Sequence, residues 1–125
     1  MAHESVHGQE MERCISACLD CHRICLETMA HCFQRGGRHT DARHIRLFSD
    51  CTEICQTSAH FMLRGSDLHY QTCAVCASVC DRCADACGAF QDDAEMQRCE
   101  QACRRCADSC RSMSRGLVNA LDRAA

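Results

Sequence analysis

Sixteen of the 125 residues are cysteine, and their spacing is regular. The stretch "CISACLDCHRIC", Cys14 to Cys25, advances in steps of four, three and four residues. The C-x-x-x-C unit recurs seven times, as Cys14/Cys18, Cys21/Cys25, Cys51/Cys55, Cys76/Cys80, Cys83/Cys87, Cys99/Cys103 and Cys106/Cys110, with Cys32 and Cys73 left over. Thiolates are soft donors, so the first chemistry to consider is capture of a soft metal ion. The competing uses of cysteine are disulfides, haem attachment, iron–sulfur clusters, zinc sites and thiol redox chemistry.

Spacing and context separate these. Positions i,i+3 and i,i+4 on a helix hold their Cβ atoms about 5–6 Å apart, whereas a disulfide needs about 3.8 Å. Bridges within one helix are therefore strained, and only bridges between helices remain open. "CLDCH", from Cys18 to His22, matches the C-x-x-C-H haem string. Its two cysteines belong to a longer row, however, and His22 falls one residue off that row. "HESVH", from His3 to His7, matches the H-E-x-x-H of zinc proteases, but it lies where helix ends fray. It reads instead as polar terminal residues, with His7 near the mouth of a bundle. Iron–sulfur ligation favours a short loop run with a following proline, and the chain has no proline. A redox protein needs one or two accessible cysteines of low pKa, not sixteen in rows. No nucleophile–base–orienter set is visible, so the chain reads as non-enzymatic.

Zinc is the stronger rival. Two C-x-x-x-C pairs on facing helices make a tetrahedral Cys₄ site. Each such unit carries two net negative charges, and several stacked in a dry interior without buried cations cost heavily. No arginine or lysine lies on the cysteine rows. Monovalent copper suits the layout better, because Cu(I) accepts two or three soft ligands and bridging thiolates bring the ratio toward one neutral metal–thiolate unit. The alternatives kept open are a zinc- or cadmium-sequestering bundle and, less favoured, a thiol redox protein.

Helices are the elements that place such rows on one face. Turn signals at "QRGGRHT" (34–40), "RGSD" (64–67) and "FQDDAE" (90–95) divide the chain into segments near 4–34, 40–64, 66–90 and 92–122. Gly65 reads as a helix stop, Ser66 as an N-cap, and Asp92 as an N-cap with Glu95 at capping-box distance. Within every segment the cysteine steps are three, four or a multiple of seven, which keeps the side chains on one helix face. Alternation by two is absent, so strands fit poorly. Short connections make successive helices antiparallel. The expected fold is all-α: an up-down-up-down four-helix bundle with a cysteine-lined core, formed by residues 1–125 as one metal-storage domain.

Extending the seams adds residues at the two ends. One end collects His7, Met11, Met62, His69 and Met113, a sulfur- and imidazole-lined mouth suited to admitting metal. The other collects Phe48 and Phe90, with His44 and Met96 near them, and reads as plugged. A second apolar stripe on the first helix (Ile15, Leu19, Leu26, Met29, Phe33), with Leu47, Ile54 and Phe61 on the second, points to self-association.

The net charge of −3 leaves no basic excess for phosphates, which argues against a nucleic-acid partner. "MAHESVHGQEMERC" has no apolar signal-peptide core, and no apolar run reaches membrane-spanning length. A cytoplasmic, membrane-free protein is expected, in a compartment that keeps thiols reduced.

With repeated C-x-x-x-C, alternating C-x-x-C and four segments, the chain from Met11 to Leu121 resembles the cytosolic copper storage proteins. The resemblance implies a four-helix bundle holding many Cu(I) ions along its interior, commonly as a homotetramer. The seven pairs, with Cys32 and Cys73, carry over as ligands. A small copper chaperone or a low-molecular-weight thiol is the expected source of the metal. The second helix departs from the pattern with two cysteines only, and Thr28 and Ser58 occupy seam positions where thiolates fit.

Overall fold

The computed structural model describes residues 8–124, with side chains through Arg115. Four α-helices follow one another: α1 Gln9–Arg35, α2 Ala42–Leu63, α3 His69–Gly88 and α4 Ala94–Ala124, with a short 3-10 turn, Gly37–Thr40, between the first two. Each helix packs against two others around a ring, α1 against α2 and α4, and α3 against α2 and α4; the diagonal pairs keep their backbones apart and meet only through core side chains such as Cys55 and Cys106, 3.8 Å apart. Four staves thus enclose a common axis, as short antiparallel connections require.

The helix ends are set by glycine and aspartate. Gly36 closes α1 at φ +68°, and its amide donates to the Cys32 carbonyl at 2.9 Å. Gly65 turns the chain after α2 at φ +70°. Both adopt left-handed backbone that a Cβ would disfavour.

Two expected caps shift. The N-cap of α4 is Asp93, not Asp92: Asp93 Oδ1 accepts the backbone amides of Glu95 and Met96 at 3.1 and 3.2 Å. The physical reason is that Asp93's second oxygen is engaged by two histidines, which fixes this carboxylate at the helix end. Ser66 does not cap α3 directly. Its hydroxyl accepts the Leu68 amide at 3.1 Å in a local turn, and the helix begins three residues later at His69. Serine hydroxyls compete for nearby amides in this way.

The core is made of sulfur. All sixteen cysteines are buried, with no measurable exposure, together with Phe48, Met62, Met96 and small alanines such as Ala59, Ala84 and Ala107. Cysteine packs as a small hydrophobe, so the seam positions occupied elsewhere by leucine are filled here without branched side chains. No helix among the described residues is long and apolar enough to cross a membrane.

Candidate metal centre

The ring geometry turns four cysteine rows toward each other. Helix α1 supplies Cys14, Cys18, Cys21, Cys25 and Cys32; α2 supplies Cys51 and Cys55; α3 supplies Cys73, Cys76, Cys80, Cys83 and Cys87; α4 supplies Cys99, Cys103, Cys106 and Cys110. All are free thiols. Contacts between helices include Cys18–Cys110 at 3.5 Å, Cys55–Cys80 at 3.6 Å, Cys21–Cys103 and Cys55–Cys76 at 3.7 Å, and Cys25–Cys99 at 3.7 Å. Contacts along one helix include Cys21–Cys25 and Cys76–Cys80, both at 3.8 Å.

These contacts merge into overlapping groups along the axis. Cys14, Cys73 and Cys110 form one; Cys18, Cys76, Cys106 and Cys110 the next. Then come Cys21, Cys55, Cys80 and Cys106; Cys21, Cys25, Cys51 and Cys103; and Cys25, Cys83, Cys99 and Cys103. Sulfurs within each group lie within 4.8 Å of one another, and consecutive groups share members. A metal with bonds of about 2.3 Å holds its sulfurs about 3.8–4.0 Å apart in tetrahedral or trigonal geometry, so the spacing suits either coordination number.

Electrostatics distinguish the thiols. Hydrogen bonds from their neighbours, then burial, push Cys55, Cys103 and Cys110 up from the ordinary thiol value. Hydrogen bonds led by Cys103 hold Cys51 and Cys99 down, and one led by Cys106 does the same for Cys76. A first thiolate is thus stabilised by its neighbours' S–H donors, and further ionisation is opposed. A bound cation reverses that opposition. Among the described residues the buried polar side chains are Thr28, His39, His44, Thr52, Ser58 and His69, and no arginine is among them.

Cys32 and Cys73 lie toward the two ends of the column. Cys32 Sγ donates to Met96 Sδ at 3.6 Å and lies 3.9 Å from His44 Nε2. Burial, then the nearby charge of Cys99, pushes its thiol up to about 11. His44 itself is pushed down, first by desolvation, which keeps its imidazole neutral. The His44 ring packs edge-on against Phe48 and at a tilt against Phe90 at this end of the core. Cys73 Sγ donates to Met62 Sδ at 3.8 Å and lies 3.3 Å from Ser58 Oγ.

The residues expected at the mouth divide. Met62 is fully buried beside Cys73, and Met11 and Met113 are partly buried against the core. His69 is buried at the first turn of α3; its Nδ1 donates to the Ser66 carbonyl at 2.7 Å, and its Nε2 has no partner. His7 lies outside the described residues. His22 sits on the flank, with its Nδ1 donating to the Thr52 carbonyl at 2.9 Å. Thr28 is on the seam, but its hydroxyl donates back to the Ile24 carbonyl at 2.7 Å. Of the second stripe, Ile15 joins the core, while Leu19, Leu26 and Phe33 remain exposed by 41%, 47% and 59%.

Sequence reasoning missed one cluster at the end that holds Phe48 and Phe90. His31 and His39 both approach Asp93, from α1 and from the 3-10 turn. Neither histidine lies on a cysteine seam, so the periodicity that found the thiols gave no signal for them.

Comparison with known proteins follows the same lines. The family model described as copper storage protein matches residues 7–115. A cysteine-rich protein of Bacillus subtilis is 36% identical over 106 residues, covering 85% of this chain and 97% of its own. A crystal structure from Nitrosospira multiformis is similar at 46% identity with a TM-score of 0.79, covering 85% of this chain and 95% of that one. The Cu(I)-bound copper storage protein BsCsp3 is similar at 36% identity and TM-score 0.79, over 85% and 99% of the two chains.

Proposed function

The chain belongs to the copper storage protein family, and we propose that it stores and buffers several Cu(I) ions on the thiolates lining its bundle. The observation that carries this reading is the unbroken succession of buried thiol groups along the axis, with no buried arginine among the described residues. Neutral Cu(I)–thiolate units suit that interior, whereas a stack of doubly negative Zn(Cys)₄ units lacks counter-charge. All sixteen cysteines are assigned as ligands. Each Cu(I) taken up expels thiol protons, so affinity rises with pH while those thiols remain protonated in the free protein.

Met11, Met62, Met113 and His69 form the uptake end. Thioethers and imidazole hold Cu(I) more weakly than thiolates, which suits transfer inward. The orphaned Nε2 of buried His69 supports the assignment, because a buried polar atom without a partner calls for an explanation. The protein works in the cytoplasm, receives copper from a small chaperone or a low-molecular-weight thiol, and assembles as a homotetramer through the exposed stripe of α1. It acts as a store and not as an enzyme.

Anaerobic titration of the reduced protein with Cu(I), and separately with Zn²⁺, against a competing chelator tests the reading. Uptake approaching one Cu(I) for each of the sixteen thiols supports it. Poor copper retention with tight saturation by about four zinc ions, the number sixteen thiolates supply at four each, overturns it. Stopped-flow uptake in the Met62→Leu and Met113→Leu variants should slow at unchanged capacity, and unchanged rates remove the proposed role of that end.

A further inference from the structure

At the end of the bundle opposite Met11, Met62 and Met113, three elements bring nitrogen and oxygen donors together. His31 comes from the last turns of α1, His39 from the 3-10 turn, and Asp93 from the start of α4. His31 Nε2 lies 2.8 Å from Asp93 Oδ2, and His39 Nε2 lies 2.9 Å from the same oxygen. Asp93 Oδ1 is already occupied by the Glu95 and Met96 amides. The other ring nitrogen of His31, Nδ1, is 3.2 Å from Glu95 Oε2.

A neutral imidazole has one N–H. His31 and His39 both turn Nε2 to Asp93 Oδ2, so one carboxylate oxygen collects two imidazoles from different elements, while Glu95 Oε2 lies 3.2 Å from His31 Nδ1. The same three atoms that share these hydrogen bonds are metal ligands by type, and one dication at that point would be held by all three together.

We propose that His31, His39 and Asp93 form a second metal site, outside the thiol array, for one divalent ion of the zinc class. The donor set of two imidazoles and a carboxylate is one that zinc accepts with a fourth position left to water. The donor separations of 2.8 and 2.9 Å need to widen only slightly to reach the edge of about 3.3 Å in a tetrahedron with bonds near 2.0 Å. Glu95 supplies the carboxylate–histidine support that orients a ligand and fixes its tautomer. The three ligand side chains are 10–14% exposed, and Glu95 at the rim is 60% exposed, so an ion has a path from solvent. These donors suit a harder ion than Cu(I), so the two centres sort metals by softness. The site ties α1, the 3-10 turn and α4 together at that end. It stands on its own geometry and does not depend on the storage reading.

The test uses the full chain, first saturated with Cu(I) so that its thiolates are occupied, then dialysed against Zn²⁺ with both metals counted per chain. Wild-type protein should hold one zinc ion. His39→Gln and Asp93→Asn should weaken that binding at least ten-fold, and Glu95→Gln by about ten-fold, with copper content unchanged. His31→Gln serves as a second ligand variant, and circular dichroism checks that each variant is folded. Equal zinc binding in wild type and the ligand variants overturns the proposal and leaves two imidazoles hydrogen-bonded to Asp93. If copper loading itself fails, the storage reading falls. The zinc difference between wild type and His39→Gln, read on the metal-free protein, still decides this site.

Discussion

A buried thiol packs like a small apolar group while protonated and binds metal once the proton leaves. In this core one side chain therefore serves both folding and function, and seam positions without sulfur lose the second role. Ser58 is the clearest case. It is fully buried on α2, with its hydroxyl 3.3 Å from Cys73 Sγ and 3.3 Å from Thr72 Oγ1. Ser58→Cys should raise copper capacity by about one ion with little loss of stability, measured by chelator competition and by denaturation of the metal-free protein. Thr28 also sits on a seam, but its hydroxyl is satisfied by the Ile24 carbonyl, so it fills space in the column. The sequence located both residues from spacing alone. It gave no sign of what their hydroxyls would contact, because that depends on which helices become neighbours.

At the level of elements, the helices follow from cysteine periodicity, and their ends follow from chemistry that periodicity does not carry. The seams placed Cys14 to Cys32, Cys51 and Cys55, Cys73 to Cys87 and Cys99 to Cys110 on four separate helices, as observed. The start of α4 was read one residue early, since Asp92 and Asp93 are equivalent in a linear string. They differ in space: only Asp93 also meets His31 and His39, residues more than fifty positions away. Those hydrogen bonds, together with that from the Met96 amide, offset burial and hold the Asp93 carboxyl well below the usual carboxylate range. Removing the cap with Asp93→Ala should cost the metal-free protein about 2 kcal/mol. Asp93→Asn, which can still accept the two amides, should cost less. Urea denaturation in the presence of a chelator measures both, and an equal loss would mean that the cap contributes nothing.

For the whole molecule, the ring of staves uses the inward face of each helix for metal and leaves an outer face to be accounted for. On α1 that face carries Leu19, Leu26 and Phe33 at intervals of seven residues, each more than two-fifths exposed. A row of this kind suits burial against further copies of the chain. Multi-angle light scattering should report an assembly larger than one chain, and Leu26→Ser should shift it toward the monomer. A compact wild-type monomer would remove the tetramer from the account. The stripe was legible in the sequence because Leu19, Leu26 and Phe33 keep one register along α1. Ile15, assigned to the same stripe, is buried and joins the core cluster instead.

Because the backbones of diagonal helices stay apart, opposite walls of the barrel are joined mainly through a shaft of thiols. Every ion lodged there replaces a weak S–H contact with bonds that stitch two or more walls together. The vessel therefore stiffens as it fills, since a cargo held only by the folded form adds to its resistance to unfolding. Heat resistance becomes a gauge of contents: the emptiest molecules open first, and so are the first offered to proteolysis, while full ones persist.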